Sequence, residues 1–349
     1  MRILAIESSC DETSASVLEE VNQEIHVLSQ ITATSLSLHA ATGGIIPENA
    51  ARMQVKFIMP TIIEALLKSR KTEDGKKDWD TAREILDKEI DAIAVTYGPG
   101  LIGSLLVGVE TAKTLSFAFG KPLIPINHLL AHIFANYINR KKDEITFPFI
   151  GLIVSGGHTD LVFFKNPKDY RWLGGTRDDA AGEAFDKIGR LLNLSYPAGP
   201  EIESRASTVE KTTIKFHSPI INEDNFDFSF SGLKTEVMRF VEKGGLNETP
   251  INEMCYATQK AVLDVLIKKT LKASEINNCK TILVGGGVSA NAFFRHELTN
   301  KAEQLGIQTF FPEKEYSTDN GAMIGAYALQ NIAPVDWKKV SANPELYFA

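Results

Sequence analysis

The sequence predicts an α/β protein made of two copies of one β-rich design, with a cleft between the copies. Two internal echoes predict this. Residues 2–18 read as a strand, a small polar turn carrying Asp11, and a second strand; residues 148–164 read the same way, with Asp160 as the acid. The second echo pairs residues 93–103 with residues 281–291, each a buried strand running into a glycine-rich turn and then a helix. Repeats occurring in the same order along a chain indicate duplication. Backbone N–H groups of glycine-rich turns before helices can meet an anion, so both copies could face one ligand.

Length and composition agree with two domains. The chain has 349 residues, 44% hydrophobic and 23% charged, as in ordinary soluble globular proteins. No apolar run reads as long enough to span a membrane, and the N-terminus enters a strand directly, so the expectation is a cytoplasmic protein with no membrane partner. Cys10, Cys255 and Cys279 are an odd number without metal-type spacing, which fits reduced thiols. A formal charge of −7 restricts nucleic-acid binding to a local basic patch or to help from a partner.

In the first turn, Glu7 and Asp11 flank small hydroxyl residues, a composition suited to a phosphate or metal-bound phosphate, or to a plain hairpin. Residues 35–52 read as an irregular polar segment containing Gly43-Gly44. Val55, Ile58, Met59, Ile62 and Leu66 give helical spacing over 49–67. The charged residues 68–89 read as a solvated insertion. A buried strand over 91–96 enters Tyr97-Gly98-Pro99-Gly100, followed by a helix over 105–119 with Gly120 as its C-cap.

After a strand at 122–126 comes Asn127-His128-Leu129-Leu130-Ala131-His132. A helix there puts His128 and His132 on one face, roughly 5–6 Å apart at Cβ. Two neutral imidazoles so placed can grip one transition metal with a third ligand from elsewhere, or be surface or core histidines. Further on, 178–192 reads as a helix with a polar start, 196–201 as a turn, 227–234 as a short aromatic and polar stretch, and 256–273 as an apolar-striped helix. Thr318-Asp319-Asn320-Gly321 opens a last helix. Asp319 suits a helix cap and is also the candidate third ligand, with Glu7 and Asp11 next in line.

Seven motifs in order carry a resemblance. They are Glu7-Ser8-Ser9-Cys10-Asp11-Glu12-Thr13, Gly43-Gly44-Ile45-Ile46-Pro47-Glu48, Gly98-Pro99-Gly100-Leu101, the His128/His132 segment, Val154-Ser155-Gly156-Gly157-His158-Thr159, Gly285-Gly286-Gly287-Val288-Ser289-Ala290-Asn291 and Asp319-Asn320-Gly321-Ala322-Met323. Across essentially its whole length the chain resembles the tRNA N6-adenosine threonylcarbamoyltransferase family, once described as O-sialoglycoprotein endopeptidases. The resemblance implies the duplicated fold of actin, sugar kinases and heat-shock chaperones, two lobes around a nucleotide cleft, here 1–127 with 321–349 and 128–320. It implies transfer of threonylcarbamoyl from threonylcarbamoyl-AMP to N6 of the adenosine after the anticodon in tRNAs reading codons that begin with A. It further implies one Fe(2+) or Zn(2+) per subunit on His128, His132 and Asp319, and adenylate contacts at Ile153, Val154, Ser155, Gly156, Gly157, Asp186, Gly199, Glu203 and Asn291. Asp11 would stand near the reacting group, and the partners would be an inactive paralogue subunit and a small ATPase.

Two positions depart from the family pattern. Gln54 stands where members often carry histidine, and Pro197-Ala198-Gly199-Pro200 replaces Pro-Gly-Gly-Pro. Ala198 is expected to alter the φ range of that turn, because alanine tolerates positive φ poorly. A metallopeptidase of the zincin type needs a glutamate directly after the first histidine; Leu129 is there instead. A kinase on the same fold needs a phosphoryl-transfer constellation in which a histidine pair has no task. The metal triad likewise argues against a nucleotide switch with no chemistry of its own. Arg171, Arg177, Lys187 and Arg190 are the candidate tRNA-binding cations.

Overall fold

The two echoes become two five-stranded sheets of one topology. The structure, a computed structural model, describes residues 1–34, 46–70, 79–245 and 250–348. The chain divides into two compact units, Met1–Ile145 with Thr318–Ala349, and Thr146–Ser317. These boundaries differ from 127/128 and 320/321. They place His128, His132 and Asp319 together in the first unit, whereas the lobe division expected from the sequence put all three in the second.

In the first unit, β1 (Arg2–Glu7), β2 (Glu12–Val21) and β3 (Glu24–Thr34) form an antiparallel meander. β4 (Ala92–Gly98) and β5 (Leu123–Asn127) extend it in parallel, giving the order β3-β2-β1-β4-β5. Ile3, Leu4, Ala5 and Ile6 are all fully buried. Such an unbroken apolar run is what a strand covered on both faces requires. In the second unit, β6 (Phe149–Val154), β7 (Thr159–Phe164) and β8 (Tyr170–Gly175) repeat the meander, while β9 (Thr281–Gly285) and β10 (Gln308–Phe310) repeat the parallel extension. The order β8-β7-β6-β9-β10 matches the first sheet strand for strand.

Helices cover these sheets. α1 (Pro47–Ser69) buries Ile58, Ile62 and Leu66 of the expected stripe but leaves Val55 exposed, and it starts at a proline, whose missing N–H is no loss at a helix start. α2 (Trp79–Lys88) corrects the reading of 68–89 as a solvated insertion. Its charges lie on one side, and Ala82, Ile85 and Leu86 are fully buried in the core; residues 71–78 of that stretch and 35–45 of the earlier polar segment lie outside the described residues.

α3 (Ile102–Phe119) ends at Gly120, whose φ of 63° is the left-handed cap expected there. Against the expectation from sequence, α3 has the length and mean hydropathy of a membrane span. Val109, Ala112 and Leu115 nevertheless sit in the core with β4 residues Ile93 and Val95, so it serves as a core helix.

Candidate metal centre and substrate residues

β5 delivers the chain into α4 (His128–Phe134), the short helix with both histidines. Asn127 caps it: its Oδ1 accepts from the Leu129 and Leu130 N–H groups at 2.8 and 3.4 Å. Every residue of α4 is buried, so Leu129, Leu130 and Ala131 offer no water-activating base between the histidines. The imidazole centroids are 4.7 Å apart. Asp319 enters from just before α10 (Gly321–Gln330). Its Oδ1 lies 3.2 Å from His132 Nε2 and 3.6 Å from His128 Nε2. One ligand atom from each of the three residues falls within 4.8 Å of the others.

Two observations show that this donor set suits a cation. His132 is fully buried, yet among the described residues neither ring nitrogen has a hydrogen-bond partner, and a buried polar atom left so is costly. Glu7, Glu12 and Asp319 also crowd one region. Burial, then Asp319 and Asp11, push the Glu12 carboxyl up to about 9, as expected of acids gathered in a buried place. Nor is Asp319 the helix cap. Asn320 performs that task, its Oδ1 accepting from Met323 N–H at 2.9 Å.

Glu7, a next-in-line ligand candidate from the sequence, instead touches the first ligand. Its Oε2 lies 3.1 Å from His128 Nδ1 and accepts from Thr96 Oγ1 at 2.5 Å, while Oε1 accepts from Ser9 N–H at 2.6 Å. Burial opposes the charge of both partners. For Glu7, His128 and the hydrogen bonds prevail and hold the carboxyl below its usual range. For His128, Asp319 and Glu7 prevail and raise the imidazole to about 9. Asp11 sits in the same turn, beside Cys10 and Glu12. The turn is tied down by Gln54, whose Nε2 donates to the carbonyls of Cys10 at 2.9 Å and Glu12 at 3.1 Å and reaches that of Ser8 at 3.5 Å.

The adenylate candidates all lie in the second unit, and several are tied to one another. Ile153 and Val154 end β6 with fully buried side chains and with their backbones paired to β7, Ile153 to β9 as well. Ser155 Oγ accepts from Gly157 and His158 N–H, and a side chain at Gly156 or Gly157 would meet nothing within 4 Å. α5 (Ala181–Leu191) begins against this turn, with Gly182 N–H donating to the Ser155 carbonyl at 3.0 Å. From α5, Asp186 accepts the Ala198 N–H at 2.7 Å, and its carboxyl is raised by burial.

The stretch 196–201 is not only a turn, because α6 (Ala198–Ala206) starts within it. Ala198 is helical, without positive φ, so the expected change of φ range does not arise. Its methyl fits because Gly189 has none: a Cβ at Gly189 would stand 2.1 Å from that of Ala198. Gly199 faces open space. Glu203 Oε1 accepts from Ala292 N–H at 2.7 Å, at the start of α9 (Ala292–Glu303). Asn291 caps the same helix through Phe294 N–H and donates to Gln259 Oε1 at 2.8 Å. Asp186, Glu203 and Asn291 therefore each bind a helix start, besides any part in holding a ligand.

The proposed tRNA-binding cations are mostly engaged. Arg177 pairs with Glu223 and Asp227, Lys187 with Asp179 and Glu183, and Arg171 donates to Asn277.

A model of the family "tRNA N6-adenosine threonylcarbamoyltransferase" matches residues 26–326. Curated proteins of that name are 42% identical in Moorella thermoacetica over 98% of this chain and 95% of the relative, and 43% identical in Persephonella marina over 93% and 88%. In Clostridium botulinum the identity is 44% over 94% of this chain and 92% of the relative. The chain belongs to the tRNA N6-adenosine threonylcarbamoyltransferase family.

Among solved structures it is similar to full-length HypF in its phosphate- and nucleotide-bound form, with TM-score 0.61 at 12% identity, covering 94% of this chain and 55% of that one. It is also similar to the ADPNP-bound activator of the 2-hydroxyisocaproyl-CoA dehydratase from Clostridium difficile, with TM-score 0.50 at 12% identity over 94% of both chains. At such identities the likeness shows the fold, the duplicated α/β fold shared with actin, sugar kinases and heat-shock chaperones. For this threonylcarbamoyltransferase-family chain, Glu7 and Gln54, both singled out in the sequence, turn out to be neighbours of the site through contacts the sequence did not show.

Proposed function

We infer that this chain transfers the threonylcarbamoyl group of threonylcarbamoyl-AMP to N6 of the adenosine at position 37, just 3′ of the anticodon, in tRNAs reading codons that begin with A, releasing AMP. The observation that carries this is the family match over residues 26–326, together with 42–44% identity along nearly the whole chain. His128, His132 and Asp319 hold one Fe(2+) or Zn(2+); two imidazoles and a carboxylate suit either. Bound there, the metal supplies a Lewis acid and a template for substrate oxygens.

The donor is a mixed anhydride and already activated, so the enzyme needs no nucleophile of its own. Its tasks are to hold the carbonyl carbon in line with the exocyclic amine and to stabilise the oxyanion that develops. The turn at Ser155, Gly156 and Gly157, with open space beside both glycines, receives the AMP phosphate, the leaving group. Ile153, Val154, Asp186, Gly199, Glu203 and Asn291 complete the adenylate contacts. Asp11, in the turn tied by Gln54, orients or deprotonates the attacking amine.

Its substrates place the enzyme in the cytoplasm, and an inactive paralogue and a small ATPase act with it. Support for a protein partner comes from α1 and α3. They approach closely where Gly103 meets Ala51, and they leave Val55, Ile102 and Leu106 exposed at 65, 49 and 45%. Because Arg171, Arg177 and Lys187 are already engaged, partners also help to hold the RNA.

The test is to incubate the purified chain with threonylcarbamoyl-AMP and unmodified tRNA, with and without both partner proteins, and to analyse the nucleosides. Threonylcarbamoyladenosine at position 37 is the expected product. Its absence in the complete mixture, when a known member of the family succeeds under the same conditions, would refute the assignment.

A further inference from the structure

We propose that Glu7 is the positioning residue that prepares His128 as a metal ligand, holding its ring so that Nδ1 carries a proton and Nε2 keeps its lone pair for the ion. The inference rests on the metal reading above and adds a residue to it.

Glu7 ends β1 in the middle of its sheet and is 1% exposed, a place where a carboxylate needs strong compensation. Its donors account for that. Ser9 N–H takes Oε1, Thr96 Oγ1 takes Oε2, and Oε2 also meets His128 Nδ1 at 3.1 Å. Two short bonds from rigid neighbours fix the carboxylate, and the fixed carboxylate in turn fixes the imidazole. The other ring nitrogen, Nε2, is the one 3.6 Å from Asp319 Oδ1.

Ser9 Oγ, 3.2 Å from the same Nδ1, leaves that nitrogen bracketed by two oxygens. A carboxylate is an acceptor only, so the proton between Glu7 and His128 belongs to Nδ1. Hydrogen-bonding a ligand histidine through its far nitrogen sets the tautomer and raises the basicity of the near one. A neutral amide at position 7 supplies the bond without the charge, and it can turn its NH2 towards Nδ1 and so favour the wrong tautomer. His132 has no such partner among the described residues, where both its nitrogens lack hydrogen bonds, so preparation of the pair falls on His128.

The test uses the full-length chain and zinc ion alone, with affinity measured by competition against a chromophoric chelator. Glu7→Gln is expected to keep the fold, by circular dichroism and melting of the metal-free protein, and to bind zinc 10–100-fold more weakly. Wild-type affinity in a folded Glu7→Gln protein overturns the proposal. A second measurement does not depend on the variant folding: nitrogen-15 spectra of the zinc-loaded wild type should show His128 Nδ1 protonated and Nε2 metal-bound. The reverse pattern also overturns it. His128→Ala is run alongside. Loss of zinc there with none lost in Glu7→Gln defeats the role of Glu7 alone, whereas full zinc binding by His128→Ala defeats the metal site beneath it.

Discussion

Replacing Gln54 with leucine tests how firmly the turn bearing Asp11 must be held. The amide is 1% exposed and is the donor to two backbone carbonyls at good distance, those of Cys10 and Glu12. The contact to Ser8 at 3.5 Å is too long to count fully. Each stranded acceptor costs about 1–3 kcal/mol, towards the low end here because the turn is only part-buried. Against that, Gln54 Oε1 is itself buried without a partner, and leucine removes that burden of about 1 kcal/mol.

The net expectation for Gln54→Leu is a loss of about 1–3 kcal/mol, or roughly 3–10 °C in melting temperature for a unit of this size. Histidine, with one donor nitrogen aimed the same way, should recover about half. The kinetic pattern is more discriminating. The turn carries Asp11, whereas the proposed adenylate contacts begin at Ile153, so kcat should fall with little change in KM for threonylcarbamoyl-AMP. Gln54→Leu with an unaltered melting temperature and an unaltered kcat would refute the reasoning.

Three further outcomes are expected. Asp319→Ser should melt within a few degrees of wild type when metal-free, since Asn320 and not Asp319 caps α10, yet bind zinc or iron roughly 10-fold more weakly or worse; elemental analysis and chelator competition read this. Gly189→Ala should cost about 1–2 kcal/mol, because its methyl would stand 2.1 Å from that of Ala198, and adding Ala198→Gly should recover most of the loss in urea unfolding. The third concerns Asp178, which accepts from Phe230 N–H, Ser231 N–H and both serine hydroxyls at the start of α7 (Ser231–Glu242). Burial works against its charge but these bonds win, so its carboxyl is held below the ordinary value of 3.8. Such a group stabilises fully above its unfolded value and ceases to as pH falls through the lower folded one. Asp178→Asn should therefore cost about 1 kcal/mol at neutral pH, and the gap from wild type should close below roughly pH 4 in acid unfolding curves.

Much of this fold was legible because strands announce themselves locally. The alternation in residues 2–18 and 148–164, and the glycine-rich turns after 96 and 285, gave matching halves that the identical strand orders bear out. What failed was also local. Trp79–Lys88 looked solvated because its charges outnumber the three residues it buries, and 196–201 looked like a turn because proline there opens a helix as well as breaking one. The histidine spacing raised the metal centre, but its support was invisible. Glu7 meets His128 across 121 residues, and Gln54 reaches Cys10 across 44. No periodicity records such meetings, since they are set by which strands lie side by side.

The second unit is one continuous stretch of chain, while the first is assembled from both ends. Gly321 N–H donates to Ser14 Oγ across 307 residues, and α10 lies so close to β1 and β2 that a side chain at Gly321 would strike Ser16 and Ala5. During synthesis domains tend to complete in order from the N-terminus. Here that order is broken, because the first sheet waits for a helix made near the end of translation, and His128 and His132 wait for Asp319. A nascent chain halted before residue 318 can finish the second unit but not the first, and it lacks one of the three proposed ligands. Loading of the proposed metal site would thus wait for the released protein, and an ion bound there would close a loop of nearly two hundred residues.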